Sequence, residues 1–134
     1  AFTQLDNLPY LSVSTTSTHD MSPLRLWWKE DRNITQNYYN HVLHHHGEAP
    51  QECSNELCEQ IISQHLASSA MWVVLPLQDW MSISPQLSNT NPMDERINIP
   101  SNPNHYWRWR MHITLEDLID EAEFNEAVKR LSKR

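Results

Sequence analysis

Residues 70–77 form a near-continuous apolar run, AMWVVLPL, rich in β-branched side chains. A strand with one wet face alternates apolar and polar residues. A run without alternation predicts a strand covered on both faces, as in a parallel sheet. A second apolar strand is predicted over residues 8–15, bounded by Pro9 and a Ser/Thr cluster. Helical stretches separate the two, so the order predicts a βαβ unit with a right-handed crossover. The fold class that follows is α/β: about two parallel strands with several helices, predominantly helical.

The helical stretches carry their own start and stop signals. Ser22 and Pro23 open the first, with proline at the favoured first helical position, and it runs through Trp27, Trp28 and Glu30. Adjacent tryptophans face different ways on a helix, so one of the two is expected in the core. A second stretch over residues 31–45 places Ile34, Tyr38, Val42 and His45 at helical spacing before Gly47 and Pro50 stop it. Residues 54–68 form the clearest helix, capped by Ser54 or Asn55, with Glu56 and Glu59 near its positive end. Leu57, Ile61, Ile62, His65 and Leu66 supply its apolar stripe. A terminal helix is predicted over 114–134. Thr114 and Asp117 resemble a capping box, and Leu115, Leu118, Ile119, Ala122, Val128 and Leu131 keep helical period. Lys129, Arg130, Lys133 and Arg134 suit its negative end. Residues 81–112 read as a long ordered loop. A loop of that length is functional or packed upon by something else.

Composition narrows the partners. A net charge of −7 gives no basic footprint for nucleic acid. An eight-residue apolar run is too short to span a bilayer, so no membrane partner is expected. Two cysteines, Cys53 and Cys58, make no disulfide framework and suit a reducing cytoplasm. Neither the C-x4-C spacing nor the run His44, His45, His46 matches a zinc site, so no metal is expected. With a single glycine, Gly47, the turns must rely on Pro, Asn, Asp and Ser. Six tryptophans and four tyrosines lie largely among polar residues. Their ring faces suit core packing, and equally the apolar faces of sugars. The start, an alanine inside a loop with no charged-then-apolar leader, reads as a piece of a longer protein without a secretory signal.

His19 and Asp20 follow the first strand directly. An α/β barrel keeps its chemistry at that mouth, where the loops after its strands converge. A carboxylate there can stabilise developing positive charge while an imidazole holds a polar substrate group, which suits glycosyl transfer through an oxocarbenium-like state. A helix cap beside a surface histidine would show the same dipeptide. Gln78 and Asp79 are expected to end the second strand at the same face, where they could touch sugar hydroxyls, although Asp79 could equally cap a turn. Asn98 and Arg96 lie in the long loop, and Arg96 could simply pair with Asp94 and Glu95. The WRWR stretch, residues 107–110, is expected to pack the last loop on the barrel.

Three ordered motifs resemble the 4-α-glucanotransferases, the amylomaltase or disproportionating-enzyme family. THDMS at 18–22 with Trp27 and Trp28 resembles the segment after its seventh barrel strand. PLQD at 76–79 resembles the end of its eighth strand. Arg96, Asn98 and Pro100, with NHYWRWR at 104–110, resemble the loop that follows. The likeness covers essentially the whole chain and is strongest to the plant-cytosolic type. Departures fall at Leu26, at residues 81–84 and at Ser101, where shorter members carry glycine.

The resemblance implies that residues 1–134 are the C-terminal portion of a TIM (β/α)8 barrel: its last two βα units, the loop 81–112 and the helix 114–134. It implies retaining transfer of α-1,4-linked glucosyl units between maltose or malto-oligosaccharides and a glucan acceptor, without a cofactor. Asp20 matches the transition-state stabiliser, while His19, Gln78, Asp79 and Asn98 are the candidate sugar contacts. The nucleophile and the acid/base belong to strands outside this chain. Alone it is therefore expected to be inactive, to need the rest of the barrel as partner, and to be prone to self-association through uncovered faces. A non-catalytic glucan-binding module and a glycoside hydrolase on the same barrel are the alternatives.

Overall fold

The computed structural model describes residues 2–133; Ala1 and Arg134 lie outside the described residues. Strands β1 (Val13–Ser14) and β2 (Trp72–Val73) pair in parallel, Val13 opposite Trp72 and Ser14 opposite Val73. Amides of Met71 and Val74 extend the ladder to the carbonyls of Tyr10 and Ser14, at 2.8 and 3.0 Å. Helices α1 (Leu24–Glu30), α2 (Arg32–His41) and α3 (Asn55–Leu66) connect the strands. Helices α4 (Leu77–Met81), α5 (Leu115–Asp120) and α6 (Ala122–Leu131) follow β2. The expected fold class thus appears as a predominantly helical chain with two parallel strands.

Local chemistry explains where these helices begin. Asp31 ends α1 with extended backbone and caps α2, accepting from the amides of Asn33 and Ile34. Ser54 does the same for α3 through Leu57, so of the two candidate caps the serine is used. One face of α3 buries Leu57, Cys58, Ile61 and Ile62. These pack with Leu24, Trp28, Met81, Leu87 and Phe124 into one core. Each fully buried aliphatic or aromatic side chain of this kind contributes roughly 1.5–3 kcal/mol. Edge-to-face rings bind α1 to α2: Trp27 against Tyr38 at 5.3 Å and Trp28 against Tyr39 at 6.3 Å. Trp28 is the fully buried member of the tryptophan pair, while Trp27 packs at the core's edge.

Several expectations need correction. The run 70–77 is a two-residue strand with one open face: Val13, Trp72 and Val74 are 56, 62 and 59 % exposed. Apolar composition encodes what a face prefers to meet, and among the described residues no layer lies over this one. Nor does the run stay extended to its end. Pro76 breaks it and residues 77–81 wind into α4, so Gln78 and Asp79 open a helix instead of ending a strand.

The stretch 31–45 stops early, with α2 ending at His41 and His44 turning to a φ of +58°. His45 leaves the helix to stack on Tyr39 at 4.7 Å and to bond Gln60 at 2.7 Å. Gly47 follows at a φ of +86°, a conformation that suits a residue without a Cβ. The terminal helix is two helices. The Asn125 side chain donates to the carbonyls of Leu118 and Ile119, at 3.3 and 2.8 Å, and Glu121 departs from helical backbone. Phe124, outside the predicted stripe, is buried, while Leu115 and Ile119 are exposed.

Candidate functional site

Parallel pairing puts the residues that leave β1 and those that leave β2 at the same end of the sheet. The loop 15–23 leaves β1 and carries His19 and Asp20. The side chains of both are about half exposed, at 53 and 51 %, with His19 Nε2 3.5 Å from Asp20 Oδ2. A third residue joins them from the long loop. Asn98 donates its side-chain amide to Asp20 Oδ1 at 2.7 Å and its backbone N–H to the His19 carbonyl at 3.1 Å. One carboxylate oxygen is thereby fixed, while the other stays on the open side facing the imidazole. The residues at 19, 20 and 98 are thus brought together from positions far apart in the chain.

Asn98 is itself braced. Arg96 Nε donates to its carbonyl at 2.9 Å, and His105 bonds the carbonyl of Ile97 at 2.9 Å. Arg96 also reaches Ser22 at 2.6 Å and Glu30 at 3.4 Å. The guanidinium therefore clamps the long loop to α1 rather than pairing with its sequence neighbours. Glu95 turns inward, nearly fully buried, near Arg25 and accepting from the amide of Asn89. Burial pushes its carboxyl pKa up.

Gln78 and Asp79 turn their side chains inward. Both are covered, and Gln78 donates inward to the carbonyl of Glu95 at 3.3 Å. Asp79 accepts from Thr16 Oγ1 at 2.5 Å, from Ser17 Oγ at 2.8 Å and from the Leu24 amide at 2.8 Å. A helical first turn beneath the β1 loop, rather than a strand end beside it, turns them inward. The turn-capping alternative for Asp79 is nearer the observed contacts, although the helix it serves is α1.

Trp107 was expected to be loop packing. Instead it is largely exposed, with its ring 4.9 Å from that of His19. Trp109, two residues on, is the one that packs against the core. The signal for Trp107 was an aromatic within a polar stretch, but which of the two tryptophans meets His19 depends on the path of the loop. Cys53 and Cys58 are buried, with sulfurs 3.5 Å apart. The thiol–thiol contact lowers the Cys58 pKa and raises that of Cys53, with burial adding to the latter. Among the described residues, no three His, Cys, Asp or Glu side chains converge as a metal site would require.

The arrangement gathers a carboxylate, an imidazole, an amide and an exposed indole at the outgoing end of the two parallel strands, the end where an α/β barrel keeps its chemistry. A family model described as 4-alpha-glucanotransferase matches residues 1–115, and the chain belongs to that family. It is 37 % identical over 122 residues to the 4-alpha-glucanotransferase DPE2 of Oryza sativa subsp. japonica, covering 91 % of this chain and 13 % of the rice protein. It is 27 % identical over 141 residues to the 4-alpha-glucanotransferase of Chlamydia trachomatis, covering 98 % of this chain and 24 % of the relative. Its fold is similar to that of amylomaltase from Streptococcus agalactiae, solved in complex with acarbose. That match has a TM-score of 0.68 at 18 % identity and covers 95 % of this chain and 22 % of the other. The chain thus spans between an eighth and a quarter of the relatives it matches.

Proposed function

We infer that this chain is the C-terminal part of a barrel that transfers α-1,4-linked glucosyl units from maltose or malto-oligosaccharides to a glucan acceptor. Retaining transfer uses a nucleophile and an acid/base that flank the scissile bond, and both are assigned to strands outside this chain. The role left to this chain is to stabilise charge. As the bond to the leaving sugar stretches, positive charge grows on the anomeric carbon and ring oxygen. Asp20 supplies a fixed negative charge to offset it, His19 holds a hydroxyl of the transferred sugar, and Asn98 keeps the carboxylate in one orientation. Trp107 offers a ring face to the sugar's apolar side.

The observation that carries this reading is the Asn98–Asp20 bond of 2.7 Å beside His19, in a member of the 4-alpha-glucanotransferase family. Alone, the chain is inactive on this reading, and its open sheet face is where the remaining strands or a second copy would pack. No helix among the described residues is long and apolar enough to cross a membrane. We place the protein in the cytoplasm, on its low cysteine content and free thiols.

The test is glucose release from maltose, with and without glycogen, in the full-length enzyme and its Asp20→Asn variant. Release that needs glycogen and falls at least about a hundredfold in the variant supports transfer with Asp20 as stabiliser. Two glucose per maltose consumed, with no lengthened oligosaccharide or glucan among the products, makes the enzyme a hydrolase. A variant that keeps its rate leaves Asp20 only the task of holding the long loop through Asn98.

A further inference from the structure

Asp79 is 1 % exposed, and among the described residues it makes no ion pair. A carboxylate buried without a cation is costly unless hydrogen bonds replace its water. Its three donors do so, and their positions in the chain matter. Thr16 and Ser17 lie just before His19 and Asp20, while Leu24 is the first residue of α1 just after them. A cap for α1 would need only the Leu24 amide. The two hydroxyls serve the other end of the loop, so one carboxylate ties both ends of the segment 18–23 to α4. From the opposite side Asn98 holds the same segment at the His19 carbonyl.

We propose that Asp79 is a positioning residue for Asp20: through Thr16 and Ser17 it sets the height and orientation at which the β1 loop presents the Asp20 carboxylate. The proposal rests on the reading of Asp20 as transition-state stabiliser. Its physical basis is that a carboxylate displaced by even about 1 Å from the developing charge can lose on the order of a hundredfold in rate. The buried staple prevents that displacement without touching substrate.

The test uses the full-length enzyme with Thr16→Val and Ser17→Ala combined, which removes both hydroxyl donors and leaves Asp79 on Leu24. The expected result is a kcat lower by about ten- to a hundredfold at nearly unchanged KM, in protein whose circular dichroism stays native. Thr16→Ser alone, which keeps the hydroxyl, should restore kcat relative to Thr16→Val. The decisive comparison repeats the pair in an Asp20→Asn background. Residues acting through Asp20 should have little left to remove there, whereas a general structural loss should recur in full. If the pair unfolds the enzyme, Ser17→Ala alone is run through the same cycle, with an expected loss of several-fold. An equal loss in both backgrounds, or an unchanged kcat, overturns the positioning role while Asp20 stands. An Asp20→Asn variant with normal activity overturns the underlying reading instead.

Discussion

At the scale of single residues, burial rather than residue type sets what a titratable group does. His65 hydrogen-bonds through Nδ1 to the carbonyl of Ile61 at 2.9 Å on the inner part of α3, and burial holds its pKa below the ordinary histidine value. A depressed histidine contributes stability that is whole above the unfolded pKa of about 6.5 and is lost as pH falls through the folded value, because the unfolded chain takes up the proton first. Glu95, raised by burial, works the other way: its contribution is whole at low pH and is lost as pH rises through its folded pKa. His65→Gln should therefore shrink the stability lost between about pH 7.5 and pH 5.5, read as the change in urea midpoint. An unchanged slope would mean that His65 titrates alike in both states. None of this was legible in the sequence, where His65 counted only as one member of an apolar stripe.

At the scale of elements, cap chemistry was the most legible part of the chain, because a cap is written within four residues. Thr114 and Asp117 close the reciprocal capping box that their spacing suggests. Helix α5 leans on it: Leu115 and Ile119 are exposed, and of its apolar side chains Leu118 is the one packed against the core. Thr114→Ala should cost about 1 kcal/mol and should act locally. Hydrogen exchange is expected to speed up at the amides of 115–120 while α3 keeps its protection. Faster exchange in both helices would show that α5 unfolds together with the core. What the periodicity missed was the break at Glu121, made by a side chain, Asn125, that lies further along the chain. Likewise, the stripe continued past His41 on paper, but His45 found better partners in Tyr39 and Gln60 off the helix.

At the scale of the whole molecule, the open sheet face dominates. Tyr10, Leu11, Val13, Trp72 and Val74 lie exposed along and beside the two strands, a patch of the kind that drives association when it meets water. The isolated 134-residue chain should associate with rising concentration, and Trp72→Lys should weaken that association at least about tenfold, the equivalent of ~1.4 kcal/mol. Sedimentation velocity over a concentration series measures both. A chain that stays monomeric throughout would show that the face is closed in solution by the chain itself.

Legible from the residues alone were the order of strands and helices, the capping box at Thr114, the place of Leu57, Ile61 and Ile62 in the α3 core stripe, and the motifs that mark the family. These depend on neighbours within a turn or two of helix, or on residue types that local chemistry demands. It took the folded chain to show that Asn98 reaches Asp20 from 78 positions away, that Trp107 and not Trp109 meets His19, and that Asp79 faces inward to Thr16, Ser17 and Leu24. Those outcomes depend on where a long loop and a short helix come to rest. The packing around the shared core fixes that, through contacts between residues whose spacing along the chain carries no periodic signal.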